Sequence, residues 1–92
     1  MRLDLFLKAS RLVARRAVAQ ALCEAGQVLV NGAQAKSSRV VRAGDEIELR
    51  RRKQVLLIRV AALPATKQVA RADARGLYEI LSDMAVPEEI FD

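Results

Sequence analysis

Among the charged side chains of this chain, which are the ones best able to bind a ligand, the cationic ones predominate. The 92 residues include 16 lysines and arginines, 11 acidic residues and no histidine. The commonest acid–base group and metal ligand is therefore missing. The single cysteine, Cys23, lies on the apolar side of a predicted helix, where a thiol is typically a small buried hydrophobe. Without a glycine-rich phosphate loop either, we expect a binding protein with no catalytic, metal or cofactor site.

The cationic charge is concentrated in the first two thirds of the chain. Residues 1–60 carry 13 basic and 5 acidic residues, a balance of +8, whereas residues 61–92 carry 3 and 6, a balance of −3. This distribution favours a polyanionic partner, first of all nucleic acid. Two phenylalanines and one tyrosine are the only aromatic residues, which gives little support to stacking on single-stranded bases. Recognition of the shape and phosphates of folded RNA fits better.

The candidate contacts form two groups. The first is a row at spacings of three and four, which would line one helical face if the chain stayed helical throughout. Two more arginines flank that row, and a second group follows a predicted hairpin. Arginine adds a planar fork suited to bidentate phosphate contacts. The candidates are Lys8, Arg11 and Arg15 in the row, Arg2 and Arg16 beside it, and Lys36 and Arg39 after the hairpin.

Two short helices are predicted to position these residues. The first covers about residues 3–9, and Asp4 lies in its first turn, where a negative charge suits the helix dipole. The second covers about residues 14–25, with an apolar stripe at helical spacing and Gly26 at the expected end.

A small antiparallel sheet is predicted to follow the helices. Asn31-Gly32 lies between short apolar segments and indicates a hairpin with a type I′ turn. Alternation around Ile47 and Leu49 predicts a half-buried strand, joined through residues 51–54 to a return strand over residues 55–60. The arginine-rich run 50–53 fits RNA contact and a solubilising hairpin equally well.

The last third of the chain is predicted to be separate from this unit. Residues 63–69 contain Pro64 and are interpreted as a linker, and residues 70–84 as a helix with Leu77 and Ile80 on its apolar face. Residues 85–92 would be an acidic tail. The interpretation is an α+β fold with an RNA-binding domain over residues 1–62.

The sequence also limits where the protein acts. A single cysteine allows no internal disulfide, which favours the cytoplasm. No stretch has the roughly 20 apolar residues needed to span a bilayer, and charges near the start argue against a signal peptide. We expect a cytoplasmic monomer without a membrane partner.

The first fifty residues resemble a known family. Arg2-Leu3-Asp4-x-Phe6-Leu7, the later arginines of the first segment, and the segment Gly26-x-Val28-x-Val30-Asn31-Gly32 resemble the S-four RNA-binding domain, named after the small-subunit ribosomal protein. This resemblance implies a small S-four-like (alpha-L) fold, in which two helices packed on a short antiparallel sheet hold RNA. Leu5 departs from the family, where a basic residue is common.

Within that family the chain is similar to small stand-alone bacterial members that act in ribosome-associated quality control. The resemblance implies binding to ribosomal RNA and P-site tRNA on dissociated large ribosomal subunits that carry stalled peptidyl-tRNA. It also implies support for a tail-adding quality-control factor that extends the stalled chain without mRNA. By matching position, Arg2 and Arg16 are the first candidates for RNA contact, and the other five are second.

Two other interpretations stay open. A related heat-shock ribosome-rescue protein also binds large subunits, but it typically has a longer basic C-terminal extension and more aromatic residues in its first helices. The third interpretation is an accessory or adaptor module that uses the apolar face of the predicted helix over residues 70–84, which would then be exposed as a patch.

Overall fold

The computed structural model describes residues 1–66 and 68–86, which form one layer of helices on an antiparallel sheet. The sheet has five strands in the order β2-β1-β3-β4-β5. The predicted α+β, S-four-like architecture is confirmed. The elements are α1 (Leu3–Ala9), α2 (Arg16–Glu24), β1 (Val28–Val30), β2 (Ala33–Gln34), β3 (Glu46–Arg51), β4 (Gln54–Val60), α3 (Arg71–Ala74), a 3-10 turn (Arg75–Leu77) and β5 (Tyr78–Ala85).

Helix α1 forms where predicted because one of its faces is apolar. Leu3, Phe6 and Leu7 are fully buried against the sheet. The first backbone N–H groups of a helix have no partner within it, and here a loop supplies acceptors. The amide of Leu3 donates to the carbonyl of Arg39 at 2.7 Å, and the amide of Asp4 donates to that of Ser37 at 3.1 Å.

Helix α1 ends at Ala9, whereas a single helical row of Lys8, Arg11 and Arg15 would need a helix that continues to residue 15. Arg11 has a left-handed backbone (φ +62°), and its amide donates to the carbonyl of Lys8. This conformation ends a helix and is usually taken by glycine, so the sequence carries no obvious stop signal here. The chain is not helical again until Arg16. The condition under which Lys8, Arg11 and Arg15 would line one helical face is therefore not met.

Helix α2 ends at the predicted glycine. Gly26 has φ +74° and donates to the carbonyl of Cys23, while the amide of Gln27 donates to that of Leu22. These two hydrogen bonds are those of a Schellman motif. A Cβ at Gly26 would also lie 2.7 Å from Nε2 of Gln34, so close approach of the hairpin adds a second requirement for glycine.

The predicted hairpin and strands between residues 28 and 60 are present, but the predicted connection over residues 51–54 is too long, because Arg51 ends β3 and Gln54 begins β4. Asn31 and Gly32 both have positive φ, at +52° and +86°, as a type I′ turn requires. Strands β3 and β4 pair from Glu46↔Arg59 to Arg51↔Gln54, so residues 52 and 53 connect them.

The predicted helix over residues 70–84 is correct only at its beginning. It ends at Ala74 and continues for three residues as the 3-10 turn, after which β5 pairs antiparallel with β4, from Val60↔Tyr78 to Gln54↔Ala85. The apolar spacing suggested one helical face, but Gly76 weakens a helix there, and pairing satisfies the backbone groups along β4. Residues 87–92 of the predicted acidic tail lie outside the described residues. The predicted domain limit at residue 62 stays a prediction.

A single core lies between the helices and the inner face of the sheet. It is mainly aliphatic, and Phe6 is the one fully buried aromatic side chain among residues 1–66 and 68–86. Leu77 belongs to the same core, so the 3-10 turn is anchored to the sheet. None of the helices in residues 1–66 and 68–86 has the length and apolar character needed to cross a membrane.

Candidate nucleic-acid interface

A buried carboxylate organises the arginines at the start of the chain. Asp4 is fully buried and accepts hydrogen bonds at both oxygens. Arg2 donates Nε to Oδ1 and Nη2 to Oδ2, each at 3.2 Å. Arg16 donates Nε to Oδ2 at 3.1 Å, and Gln20 donates Nε2 to the same oxygen at 2.9 Å. The amide of Leu5 donates to Oδ1 at 2.8 Å. We call Asp4 with Arg2, Arg16 and Gln20 the Asp4 cluster.

The Asp4 cluster keeps its carboxylate ionised. Burial raises the pKa of Asp4, but the hydrogen bonds from Gln20, Arg16, the Leu5 amide and Arg2 outweigh burial and place it below its ordinary value. A charged acceptor makes stronger hydrogen bonds than a neutral one. Asp4 is therefore a fixed negative charge that holds two flexible arginine side chains in defined positions.

The two arginines of this cluster stay accessible. The side chains of Arg2 and Arg16 are 43% and 41% exposed, although the carboxylate between them is fully buried. The hydrogen bond of Arg16 to Asp4 uses Nε, so its terminal nitrogens are not committed to that bond. A guanidinium has five N–H donors in a rigid fork. The arrangement can present oriented donors to a phosphate while the positions of the side chains are already set.

The remaining candidates lie at different places around this cluster. Arg39 is exposed beside the start of α1, where Val40 forms an isolated bridge with Arg2. Arg15 is exposed at the residue before α2. Lys36 instead lines a separate cavity of about 510 Å³ together with Cys23 and Glu24.

Lys8 and Arg11 lie at the other end of α1, in a groove of about 500 Å³. Arg71 and Arg75 of the C-terminal segment line the same groove, and neither was a candidate from the sequence. Their spacing of four residues was a usable signal, but the predicted helix directed attention to its apolar face.

The role of Asp4 was also missed from the sequence. Its position in the first turn suggested only an interaction with the helix dipole. A stronger signal was its place on the apolar side of α1 next to Leu3 and Leu7, all of which are buried. An ionised carboxylate on a buried face needs charged or hydrogen-bonding partners, and Arg2 is two residues away.

The arginines on the outer face of the sheet are engaged with the protein itself. Arg50 forms an ion pair with Glu48, and Arg59 lies 3.7 Å from carboxylate oxygens of both Glu46 and Glu79. Within the arginine-rich run, Arg51 donates Nη2 to the carbonyl of Leu12 at 3.1 Å. These contacts favour a structural and solubilising role for Arg50 and Arg51.

Groups suited to catalysis are not assembled in the described part of the chain. Burial, and then the charge of Asp4, raise the pKa of the Cys23 thiol, which keeps it in its unreactive form. Across residues 1–66 and 68–86, no three carboxylate or thiol side chains lie close enough together to hold a metal ion.

Comparison with known proteins agrees with this geometry. A family model described as the S4 domain matches residues 1–47, the region that contains the Asp4 cluster and the loop beside it. The chain belongs to the S4 domain family. Its fold is thus that of an RNA-binding domain class, as the resemblance implied.

Curated relatives of this S4 domain chain extend the match over nearly its full length. The "RQC P-site tRNA stabilizing factor" of Streptococcus pneumoniae is 40% identical over 90 residues, 98% of this chain and 100% of the relative. The protein of the same name from Halalkalibacterium halodurans is 41% identical over 80 residues, 87% of this chain and 89% of the relative. The similarity to the quality-control members is therefore confirmed.

A solved structure resembles this S4 domain protein beyond residue 47. The trimeric structure of Vibrio cholerae Heat Shock Protein 15 superposes with a TM-score of 0.80 at 30% identity, covering 89% of this chain and 82% of that chain. The heat-shock relative considered from the sequence thus shares the fold.

Proposed function

We propose that this protein binds ribosomal RNA and P-site tRNA on dissociated large ribosomal subunits that carry stalled peptidyl-tRNA. In that position it supports a partner factor that extends the stalled chain at its C-terminus without mRNA. The observation that carries this proposal is the Asp4 cluster, in which a buried carboxylate orients two half-exposed arginines. The names of the relatives matched over nearly their whole length specify the P-site tRNA and support the choice of tRNA as a ligand.

The chemistry of the cluster suits a phosphate backbone. Holding an arginine in place before binding reduces the side-chain entropy lost on association. Two adjacent oriented forks can contact phosphates bidentately, whereas freely moving lysines act as point charges. Arg39 and Arg15 extend the cationic surface around the cluster as weaker contacts, and Lys36 extends it further from the cluster.

The proposed role is that of a non-catalytic stabilising factor. It would act as a monomer in the cytoplasm, where large ribosomal subunits and the tail-adding factor are found. Arg2 and Arg16 would contact RNA directly, and no chemical step would be required of the protein.

The heat-shock ribosome-rescue function is the second candidate. It is favoured by the structural match to Vibrio cholerae Heat Shock Protein 15. The Streptococcus pneumoniae relative, however, is covered over its whole length, whereas 82% of the heat-shock chain is covered. The adaptor interpretation loses its predicted helix, which ends at Ala74. Three of the four apolar residues of its predicted face are nevertheless exposed, namely Ile80, Leu81 and Met84 on β5.

The proposal is tested by isolating the tagged protein from its native cell on a sucrose gradient and sequencing the RNA crosslinked to it. We expect large-subunit RNA and tRNA, together with the tail-adding factor. Large-subunit RNA without that factor would favour the heat-shock function. Crosslinks only to RNA unrelated to the ribosome would contradict both candidates and leave an RNA-binding S4 domain protein.

A further inference from the structure

The groove at the end of α1 is a second cationic site outside the Asp4 cluster. The last turn of α1 and the turn after it form one side, and α3 with the 3-10 turn forms the other. Four cations line it, and none of the residues lining it is acidic. We call it the α1–α3 groove, and its cations are Lys8, Arg11, Arg71 and Arg75.

The α1–α3 groove has fixed walls. Arg11 donates Nη2 to the carbonyl of Val69 at 3.2 Å, which ties the turn after α1 to the segment before α3. Ala74 and Leu77 are buried, and the amide of Ala61 donates to the carbonyl of Leu77 at 2.8 Å. Helix α3 and the 3-10 turn are therefore anchored through Ala74 and Leu77, so the fold itself brings the exposed groove arginines beside the end of α1.

The charge of the groove favours an anion. Arg71 and Arg75 are four residues apart and share one face of the short helical segment, whereas the intervening Asp73 is not among the groove residues. Converging like charges repel each other, and an anion that enters between them removes this repulsion. Arg71, Arg75 and Lys8 are exposed and accessible to such a ligand.

The shape of the groove and its one aromatic side chain narrow the ligand class. A volume of about 500 Å³ lies within the usual range for small-ligand sites, roughly 300–1,000 Å³. Tyr78 lines the groove and is partly buried against the core, so this residue is held in place. An aromatic ring is a platform for one nucleobase. An acidic peptide would satisfy the cations but would leave this ring without a flat partner.

The position of the groove relates it to the Asp4 cluster. Lys8 is four residues after Asp4 on α1, which is a rise of about 6 Å along the helix axis. One RNA strand can therefore extend from the cluster to the groove. We propose that the α1–α3 groove binds a single unpaired nucleotide of that strand, with its phosphate between the cations and its base on Tyr78. This inference depends on the proposed function only for the identity of the RNA.

The groove is tested first without the ribosome. Tyr78 is the only tyrosine and the chain has no tryptophan, so its ring signals in an NMR titration report on the groove alone. We expect tetrauridylate to shift these signals and the amides of Ser10 and Arg75, while inorganic phosphate shifts only the amides. A tetraglutamate peptide should likewise shift only the amides and leave the ring signals of Tyr78 in place. Equal shifts with the peptide, or no shift of Tyr78 with tetrauridylate, would overturn the proposal.

Variants give the matched control for this titration. Arg71→Gln and Arg75→Gln should each weaken tetrauridylate binding by about two- to fivefold, as expected for one exposed ion pair. Each should also reduce the log–log salt slope by about 0.7, the contribution of one contact to a single strand. Arg59→Gln removes the same charge from an arginine paired with Glu46 and Glu79, and it should bind like the unmodified protein. Equal losses in all three variants would overturn the proposal.

The two proposals can fail separately. If the protein binds large subunits and Arg71→Gln and Arg75→Gln bind them as Arg59→Gln does, while Tyr78 does not respond to tetrauridylate, the groove proposal is overturned and the proposed function stands. If Tyr78 responds as expected but the unmodified protein does not bind large subunits, the groove proposal is supported and the proposed function is overturned.

Discussion

Two arginine-rich regions of this protein differ in how their charges are neutralised. On the outer face of the sheet, Arg50 and Arg59 pair with glutamates that are themselves partly exposed. In the Asp4 cluster, Arg2 and Arg16 pair with one carboxylate that is fully buried. The surface pairs are worth little to stability and leave no net positive charge locally. The cluster has two cations for one anion, and that anion is inaccessible to a ligand.

This difference shows why the count of basic residues does not locate an RNA site. A phosphate cannot contact a fully buried carboxylate. Asp4 therefore orients the arginines without a close repulsive contact with the ligand. An exposed glutamate both occupies its arginine and repels a phosphate. Arg2 and Arg16 are thus distinguished from the outer-face arginines by the burial of their partner.

Removing the buried carboxylate should have the largest effect. Asp4→Ala deprives Arg2, Arg16 and Gln20 of their common acceptor and leaves the Leu5 amide without one. Hydrogen bonds to charged groups are worth about 1.5–3 kcal/mol, so we expect the free energy of unfolding to fall by about 2–3 kcal/mol. Urea unfolding measures this change. Asp4→Asn keeps the shape of the side chain but loses the charge. Its free energy of unfolding should lie between those of the unmodified protein and Asp4→Ala.

Removing one arginine of the cluster should separate binding from stability. Arg16→Ala should weaken binding to large subunits by about tenfold, equivalent to about 1.4 kcal/mol, because a phosphate contact is lost. The free energy of unfolding should change by no more than about 1 kcal/mol, since Arg16 is partly exposed and Arg2 still pairs with Asp4.

Gln20→Ala is the matched control for Arg16→Ala. It removes another hydrogen bond to Asp4 but no charge. It should lower stability by about as much as Arg16→Ala while leaving binding within about twofold. If both variants lose binding equally, the loss reflects damage to the cluster rather than a missing phosphate contact.

The salt dependence of binding should reflect the number of phosphates contacted. About six phosphate contacts give a slope of roughly −4 to −5 in a log–log plot of affinity against salt, at about 0.7–0.9 per contact. Fluorescence anisotropy of the labelled protein with purified large subunits, over a series of potassium chloride concentrations, measures the slope. A flat response would contradict a phosphate-dominated interface.

The smallest effect expected is on stability at acid pH. The pKa of Asp4 is lowered in the folded state, so the unfolded chain binds the proton at a higher pH, and stability from this group is present above about pH 4. It should be lost as the pH falls through the folded pKa. Urea midpoints measured between pH 7 and pH 3 should therefore fall less for Asp4→Asn than for the unmodified protein. Parallel curves would contradict an ionised Asp4.

Local sequence signals predicted most of the fold. The start of α1, the end of α2 at Gly26 and the turn at Asn31-Gly32 each depend on residue types whose backbone preferences are strong. The end of α1 at Ala9 agrees with the predicted range, but the left-handed backbone of Arg11 after it could not be predicted, because arginine disfavours that conformation. Strand β5 was missed because its pairing with β4 is a long-range contact that outweighs local helical spacing.

The sequence supplied candidate residues for the site but not their organisation, and the role of these residues in RNA contact stays a prediction. Arg2 and Arg16 followed from the resemblance to the family, whereas their common partner depends on α1 and α2 packing side by side. The same limit applies to the α1–α3 groove, because Lys8 and Arg75 are 67 positions apart and only the folded chain brings them together.

The most direct test compares Arg2→Gln with Arg59→Gln in binding to large ribosomal subunits carrying P-site tRNA. Both variants lose one positive charge from a partly exposed arginine that pairs with carboxylates. If the buried Asp4 orients Arg2 toward RNA, Arg2→Gln should bind about tenfold more weakly, and Arg59→Gln should bind within about twofold of the unmodified protein. Equal affinities for the two variants would contradict the account, because binding would then depend on net charge alone.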